Sequence, residues 1–373
     1  MDLVSRVDRV VDDAIENERI VGSVTLVADH GEIVYARAAG WFDREAETPM
    51  RRDAIFRLAS VTKPLVAATA LAMVDRRLIG LDNAVSDHLP YFRPKLPDGS
   101  EARILVRHLL SHTSGLGYAY RNPEITVGLQ QTDLDHEANL TLIAEEPLLF
   151  EPGTAWEYGA SIDVLGAIIA TIHGGTLDDA LHHYVTDPLE MADTGFAVTD
   201  ESRLAIPYAD GPPGLRRMAD PDVIIAPDGG ETQFAPSRIF NEKAFQSGGA
   251  GAVGTPDDLL HFFETIRQGG SPILRHETVA IAGQNQVGSV PLRPQDAGQR
   301  FGFLGAIVDD PEAANSPQAV GTIRWGGVYG HDWSIDPANG ITIVSMTNTP
   351  YEGCIGNYPK QIRNAVYDYT PRV

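Results

Sequence analysis

Apolar and polar positions follow two different periods along this chain. Near the start, Leu3, Val4, Val7, Val11 and Ile15 recur at helical spacing and predict an amphipathic surface helix. GSVTLVAD and EIVYARAAG then read as β-rich runs on either side of His30-Gly31, a hairpin signal. The stretch RLASVTKPLVAATALAMV, residues 57–74, is almost continuously apolar and predicts a buried helix over 59–77. Pro64 falls in its first turn, where a missing N–H costs nothing. Residues 101–112 and 161–173 predict two further helices, and Thr255-Pro256-Asp257-Asp258 is an N-cap signal ahead of DLLHFFETIR. Beyond residue 300 the pattern changes. FGFLGAIV, GTIRW, HDWSID and GITIVSMTN are short β runs separated by turn residues, and YPKQIRNAVYDY closes as a helix.

Strands therefore concentrate at both ends of the chain, with helices and loops between. The simplest assembly is an α/β (α+β) protein in which both chain ends build one antiparallel sheet flanked by the terminal helices, around an inserted, mainly helical subdomain. The 373 residues exceed the roughly 250–300 at which a single core stops growing. The expected division is a discontinuous sheet subdomain of residues 1–83 and 246–373, and a helical subdomain of residues 84–245.

Composition narrows the class. A hydrophobic fraction of 43% and a charged fraction of 21% fit a globular protein. The net charge of -22, spread along the chain, argues against nucleic acid and anionic membrane surfaces as partners. The single cysteine, Cys354, rules out an intramolecular disulfide. The N-terminal segment has no apolar core like that of a signal peptide, and no run approaches ~18 uncharged apolar residues, so a cytoplasmic protein is expected.

Lysine is scarce: only Lys63, Lys95, Lys243 and Lys360 occur. Lys63 nevertheless lies inside the apolar 57–74 segment, three residues after Ser60, and an i, i+3 pair shares one helix face. At the start of a helix, unpaired N–H groups favour negative charge developing on Ser60. A lysine among apolar side chains loses hydration, which pushes it toward the neutral, proton-accepting amine. Serine with such an amine in reach suffices for nucleophilic catalysis without histidine. The tetrapeptide is equally compatible with a serine cap and a lysine whose head reaches solvent.

Further segments supply context. FRLASVTKP, VRHLLSHTSGLGY (106–118), EPGTAWEYG (151–159), QSGGAGAVGTPDDLL (246–260) and WGGVYGHDW (325–333) occur in that order. In this combination the chain resembles the serine β-lactamase and penicillin-binding-protein superfamily, and within it the family VIII carboxylesterases, relatives of class C β-lactamases. The likeness runs from about residue 10 to the C-terminus. It implies a β-lactamase/transpeptidase-like fold with the active site between the two subdomains. By this resemblance Ser60 is the nucleophile, Lys63 its partner in proton transfer, and Tyr158 the tyrosine that opens the second motif and shares the base role. WGGVYGH matches the third motif, in which Gly326 and Gly327 let a backbone approach substrate and the Val328 and Ser60 N–H groups form the oxyanion hole.

Two departures bear on substrate. Trp325-Gly326-Gly327 replaces the Lys-Thr-Gly of β-lactamases, and Tyr158-Gly159-Ala160 lacks the asparagine two residues after the tyrosine. Both remove polar recognition of a β-lactam and leave an aromatic wall suited to uncharged esters, with Tyr118, Trp325, Trp333 and His331 as expected substrate contacts. A structural hydrogen bond is the alternative for His331. Gly249–Gly254 fits G-x-G-x-x-G but lacks the preceding strand and later acid of a dinucleotide site, and no cofactor is expected. His108 and His112 share a helical i, i+4 spacing but no H-E-x-x-H occurs, so no metal is expected; His112 is read as hydrogen-bonding locally. No G-x-S-x-G nucleophile elbow occurs. The resulting expectation is a serine carboxylesterase acting on short-chain or small alcohol esters. The alternatives are an acyltransferase using the same acyl-enzyme, a weak β-lactamase or D-amidase, and an inactive relative that binds a ligand or peptide.

Overall fold

The computed structural model describes residues 1–227 and 229–371. One antiparallel sheet runs in the order Gln299–Phe301, Ala306–Val308, Ile323–Gly327, His331–Asp336, Ile341–Thr347, Gly22–Asp29, Glu32–Asp43 and Thr48–Pro49. The two chain ends meet where Ser23 pairs with Thr347 and Asp29 with Ile341. His30 and Gly31 form the two-residue turn of the predicted hairpin, with φ of 50° and 95°, the left-handed pair that matches strand twist.

Alternation along these strands feeds two layers. Val27, Tyr35 and Ile343 face the paired terminal helices Leu3–Glu16 and Asn357–Val366. Val24, Leu26, Val344 and Met346 face the opposite way into the main core, where helix Pro256–Arg267 covers the sheet. Thr255 caps that helix by accepting from the Asp258 N–H.

The segment around Ser60 and Lys63 begins as a tight turn, Ala59–Val61, and continues as the α-helix Thr62–Asp75. Every residue from Thr62 to Met73 is buried, as an all-round apolar helix requires. It packs against Ser161–His173, Leu177–Leu181 and His182–Thr186. One apolar cluster runs from Val24 and Met346 through this helix to Val164 and Ile169.

Some boundaries differ from the sequence reading. The helix expected over 101–112 is reduced to Val106–Leu110, because Leu105 is extended (φ -102°, ψ 157°) and bridges Ala84. FGFLGAIV is split into two strands by a turn closed by Gly302 N–H donating to the Gly305 carbonyl at 2.8 Å. Two small hairpins, Tyr208–Ala209 with Arg216–Arg217 and Asp222–Ile225 with Glu231–Phe234, stand where only loops and helices were expected. Among the described residues no single helix is long and apolar enough to cross a membrane.

Candidate active site

Ser60 sits half-buried in the turn that opens the buried helix, directly after Ala59, whose φ of 45° is left-handed. A non-glycine residue held there beside a potential nucleophile marks stored backbone strain. Lys63, 6% exposed, donates from Nζ to Ser60 Oγ at 3.1 Å and to the Gly249 carbonyl at 2.6 Å. Its Nζ also lies 4.7 Å from the centroid of the Tyr158 ring and 5.7 Å from that of Tyr118. Lys63 therefore brings together Ser60 and Tyr158, drawn from two distant segments. The Tyr158 hydroxyl accepts a 2.8 Å hydrogen bond from Trp325 Nε1, which ties the second motif to the third.

The stretch 249–254 has a role that its dinucleotide-like pattern did not suggest. The Gly249 carbonyl holds Lys63, Ala252 N–H donates to Thr62 Oγ1, and the Ala252 carbonyl accepts from Leu58 N–H. Buried Asp163 anchors this segment by accepting from Ser247 Oγ at 2.5 Å and Gly249 N–H at 3.2 Å. A Cβ at Gly249 would stand 2.6 Å from Asp163 Oδ2, so the approach requires glycine.

Strand Ile323–Gly327 presses directly against the turn that carries Ser60. A Cβ on Gly327 would meet the Leu58 carbonyl at 2.4 Å and Val61 Cγ2 at 3.0 Å. Val328 follows that strand, and among the described residues its N–H makes no hydrogen bond. An unpaired N–H beside the nucleophile turn is the donor type a developing oxyanion needs.

His112 departs from the sequence reading, whereas His331 makes the structural hydrogen bond given there as the alternative to a substrate contact. His112 does not bond locally: its Nδ1 accepts from Gly159 N–H at 3.3 Å, and its ring lies 4.6 Å from that of Tyr158. Burial, and next the nearby Lys63, hold its pKa well below the usual histidine value, so it packs against Tyr158 as a neutral ring. His108 instead accepts from Leu105 N–H at its helix start, so the pair does not converge. His331 is 1% exposed and bonds through Nε2 to the Arg57 carbonyl at 2.8 Å. It braces the short strand Phe56–Arg57 that precedes Ser60. Burial pulls its pKa down to about 4.

Trp333 is also corrected. It is 1% exposed and stacks on Phe263 at 4.3 Å, a core position: directly paired with Trp325, it shares that residue's face of the sheet but lies where helix Pro256–Arg267 covers it. Tyr118 and Trp325 do lie at the site, with ring centroids 5.7 and 5.0 Å from Tyr158. The apolar recess beside Lys63 and Tyr158 is completed by Phe301, Phe303 and Leu304, residues that the sequence reading took only for a β run. The signal was a dense aromatic cluster astride two glycines, which a plain strand does not need. Arg293, over the rings of Trp156 and Trp325 at 5.6 and 6.0 Å, brings a cation near the third motif from outside it.

Comparison with known proteins adds four findings. The family description "Beta-lactamase" matches residues 7–363. Esterase EstB of Burkholderia gladioli is 45% identical over 375 residues, covering 98% of this chain and 95% of that protein. The solved structure of EstCE1, described as a hydrolase with promiscuous acyltransferase activity, superposes with a TM-score of 0.93 at 43% identity over 98% of each chain. Simvastatin synthase LovD of Aspergillus terreus, unliganded, shares the fold at a TM-score of 0.75 and 22% identity, covering 98% of each chain.

Proposed function

The chain belongs to the beta-lactamase family, and on that premise we propose that it is a serine carboxylesterase whose nucleophile is Ser60. The observation that carries this reading is the 3.1 Å contact between Lys63 Nζ and Ser60 Oγ, with the amine over the Tyr158 ring. The likeness to EstB and EstCE1 supports the ester-cleaving chemistry.

Ser60 Oγ attacks the ester carbonyl while its proton passes to the Lys63 and Tyr158 pair. The Ser60 and Val328 amides take the oxyanion, a contribution of about 10²–10³ in rate per donor. Tyr158 returns the proton to the leaving alkoxide, and water cleaves the acyl-enzyme by the same route in reverse. Tyr118, Trp325, Phe301 and Phe303 offer apolar walls to the substrate, which suits uncharged esters of short acyl chains or small alcohols. The reaction needs no cofactor or metal.

The promiscuous acyltransferase activity described for EstCE1 favours a second reading of the same acyl-enzyme, in which an alcohol replaces water as acceptor. The decisive measurement is a p-nitrophenyl ester series run beside a chromogenic cephalosporin on wild type and Ser60→Ala. Ester turnover is expected to vanish in Ser60→Ala with the thermal midpoint retained. Activity that persists in that variant would remove Ser60 as nucleophile. A vinyl ester with benzyl alcohol then separates the acceptors: benzyl ester in the products supports acyl transfer, and acid alone refutes it.

A further inference from the structure

We propose that a cavity between Arg57 and Arg238, behind the nucleophile turn, binds a small inorganic monoanion of halide size. Arg57, Arg238, Tyr329 and the segment Ala250–Val253 line it, and it shares no residue with the apolar recess beside Lys63. About 20 Å³ is free to the centre of a water-sized occupant, enough for one small ion and too little for an acyl chain.

The lining is cationic and short of acceptors. Arg238 is 8% exposed, donates Nη2 to the Phe245 carbonyl at 2.8 Å, and leaves a buried Nε without a partner. Arg57 donates Nε to the Pro236 carbonyl at 2.8 Å and Nη1 to the Ala205 carbonyl at 3.2 Å. Among the described residues, every hydrogen bond made by either guanidinium goes to a neutral backbone oxygen. The carboxylates in electrostatic range, Asp220 and Asp163, make no hydrogen bond to either guanidinium: Asp220 accepts from Ser237 N–H, and Asp163 accepts from Ser247 and Gly249 on Oδ1 while its buried Oδ2 has no partner among the described residues.

Holding a buried and a half-buried cation together with only neutral hydrogen-bond partners is unfavourable, and an anion seated between them offsets it while satisfying the orphan N–H. Burial pulls the Arg238 guanidinium down to about 10, with Asp163 and Tyr329 opposing it only in part. The cavity wall is functional backbone. Ala252 fixes Leu58 and Thr62, and the neighbouring Gly249 carbonyl holds Lys63. Occupancy would therefore stiffen the segment that orients the lysine.

The test is thermal unfolding of the intact protein in sodium chloride, bromide and isethionate at one ionic strength, for wild type and Arg238→Gln. Isethionate is too bulky for the cavity. A saturable rise of about 2 °C in chloride and bromide, missing in isethionate and lost in Arg238→Gln, is expected. Identical behaviour in the three salts overturns the site, as does a halide response that Arg238→Gln retains in full. Bromide-soaked wild-type crystals decide the matter even where the variant does not fold. An anomalous peak beside Arg238 Nε supports the site, and an empty or water-filled cavity refutes it.

Discussion

A single methyl group at residue 327 tests whether the third-motif strand serves the chemistry. In Gly327→Ala the new Cβ would stand 2.4 Å from the Leu58 carbonyl oxygen and 3.0 Å from Val61 Cγ2. Ordinary contact begins near 3.4 Å, so the strand must retreat from the nucleophile turn by about 1 Å. Val328 N–H retreats with it. A misplacement of that size costs about 10²-fold, and complete loss of one oxyanion donor about 10²–10³-fold. The expected outcome is therefore a fall of at least about 100-fold in kcat on p-nitrophenyl acetate, with KM little changed. Gly326→Ala is the control. Its Cβ would meet the His331 carbonyl at 2.6 Å and Cys354 Sγ at 3.0 Å, on the face away from the nucleophile turn. It should lower the thermal midpoint while sparing kcat relative to Gly327→Ala. A folded Gly327→Ala enzyme with kcat near the wild-type value would refute the assignment of Val328 as oxyanion donor.

Trp325→Phe keeps the ring wall against Tyr158 and Phe301 but removes the indole N–H that donates to the Tyr158 hydroxyl at 2.8 Å. A hydrogen bond to a group that becomes charged is worth about 1.5–3 kcal/mol, so kcat/KM should fall roughly 10- to 150-fold; an unchanged value would separate Trp325 from proton transfer. His331, its pKa lowered by burial from 6.5 to about 4, contributes stability that is present above the unfolded value and lost as pH falls from about 6.5 to about 4. The loss is of order 3 kcal/mol, and in denaturant melts it should appear as a fall of that size, between about pH 6.5 and pH 4, in the stability of wild type relative to His331→Asn. Taking the difference is necessary because burial raises the pKa of neighbouring Asp332 to about 6, giving the opposite slope.

The parts of this protein legible in the sequence are those governed by near neighbours. Ser60 and Lys63 meet because residues three apart share a helix face, and the observed 3.1 Å contact is local. The hairpin at His30-Gly31, the Thr255 cap and the all-round burial of Thr62–Met73 likewise follow from short windows of residue types. The resemblance of the ordered motifs to a known family extended that reach to Tyr158 and the glycine strand.

What remained hidden depends on which distant segments pack together. Lys63 takes its second partner from Gly249, 186 residues away, and His112 takes Gly159, 47 residues away. Neither pairing leaves a periodic trace. Trp325 and Trp333 read alike in the sequence and share one face of the sheet as direct cross-strand partners, yet the helix that covers Trp333 leaves Trp325 at the site. Residue order alone specifies the reactive groups and the elements that carry them. Their partners emerge only from the packed chain, because a buried polar group must be satisfied by whatever folding brings within about 3 Å.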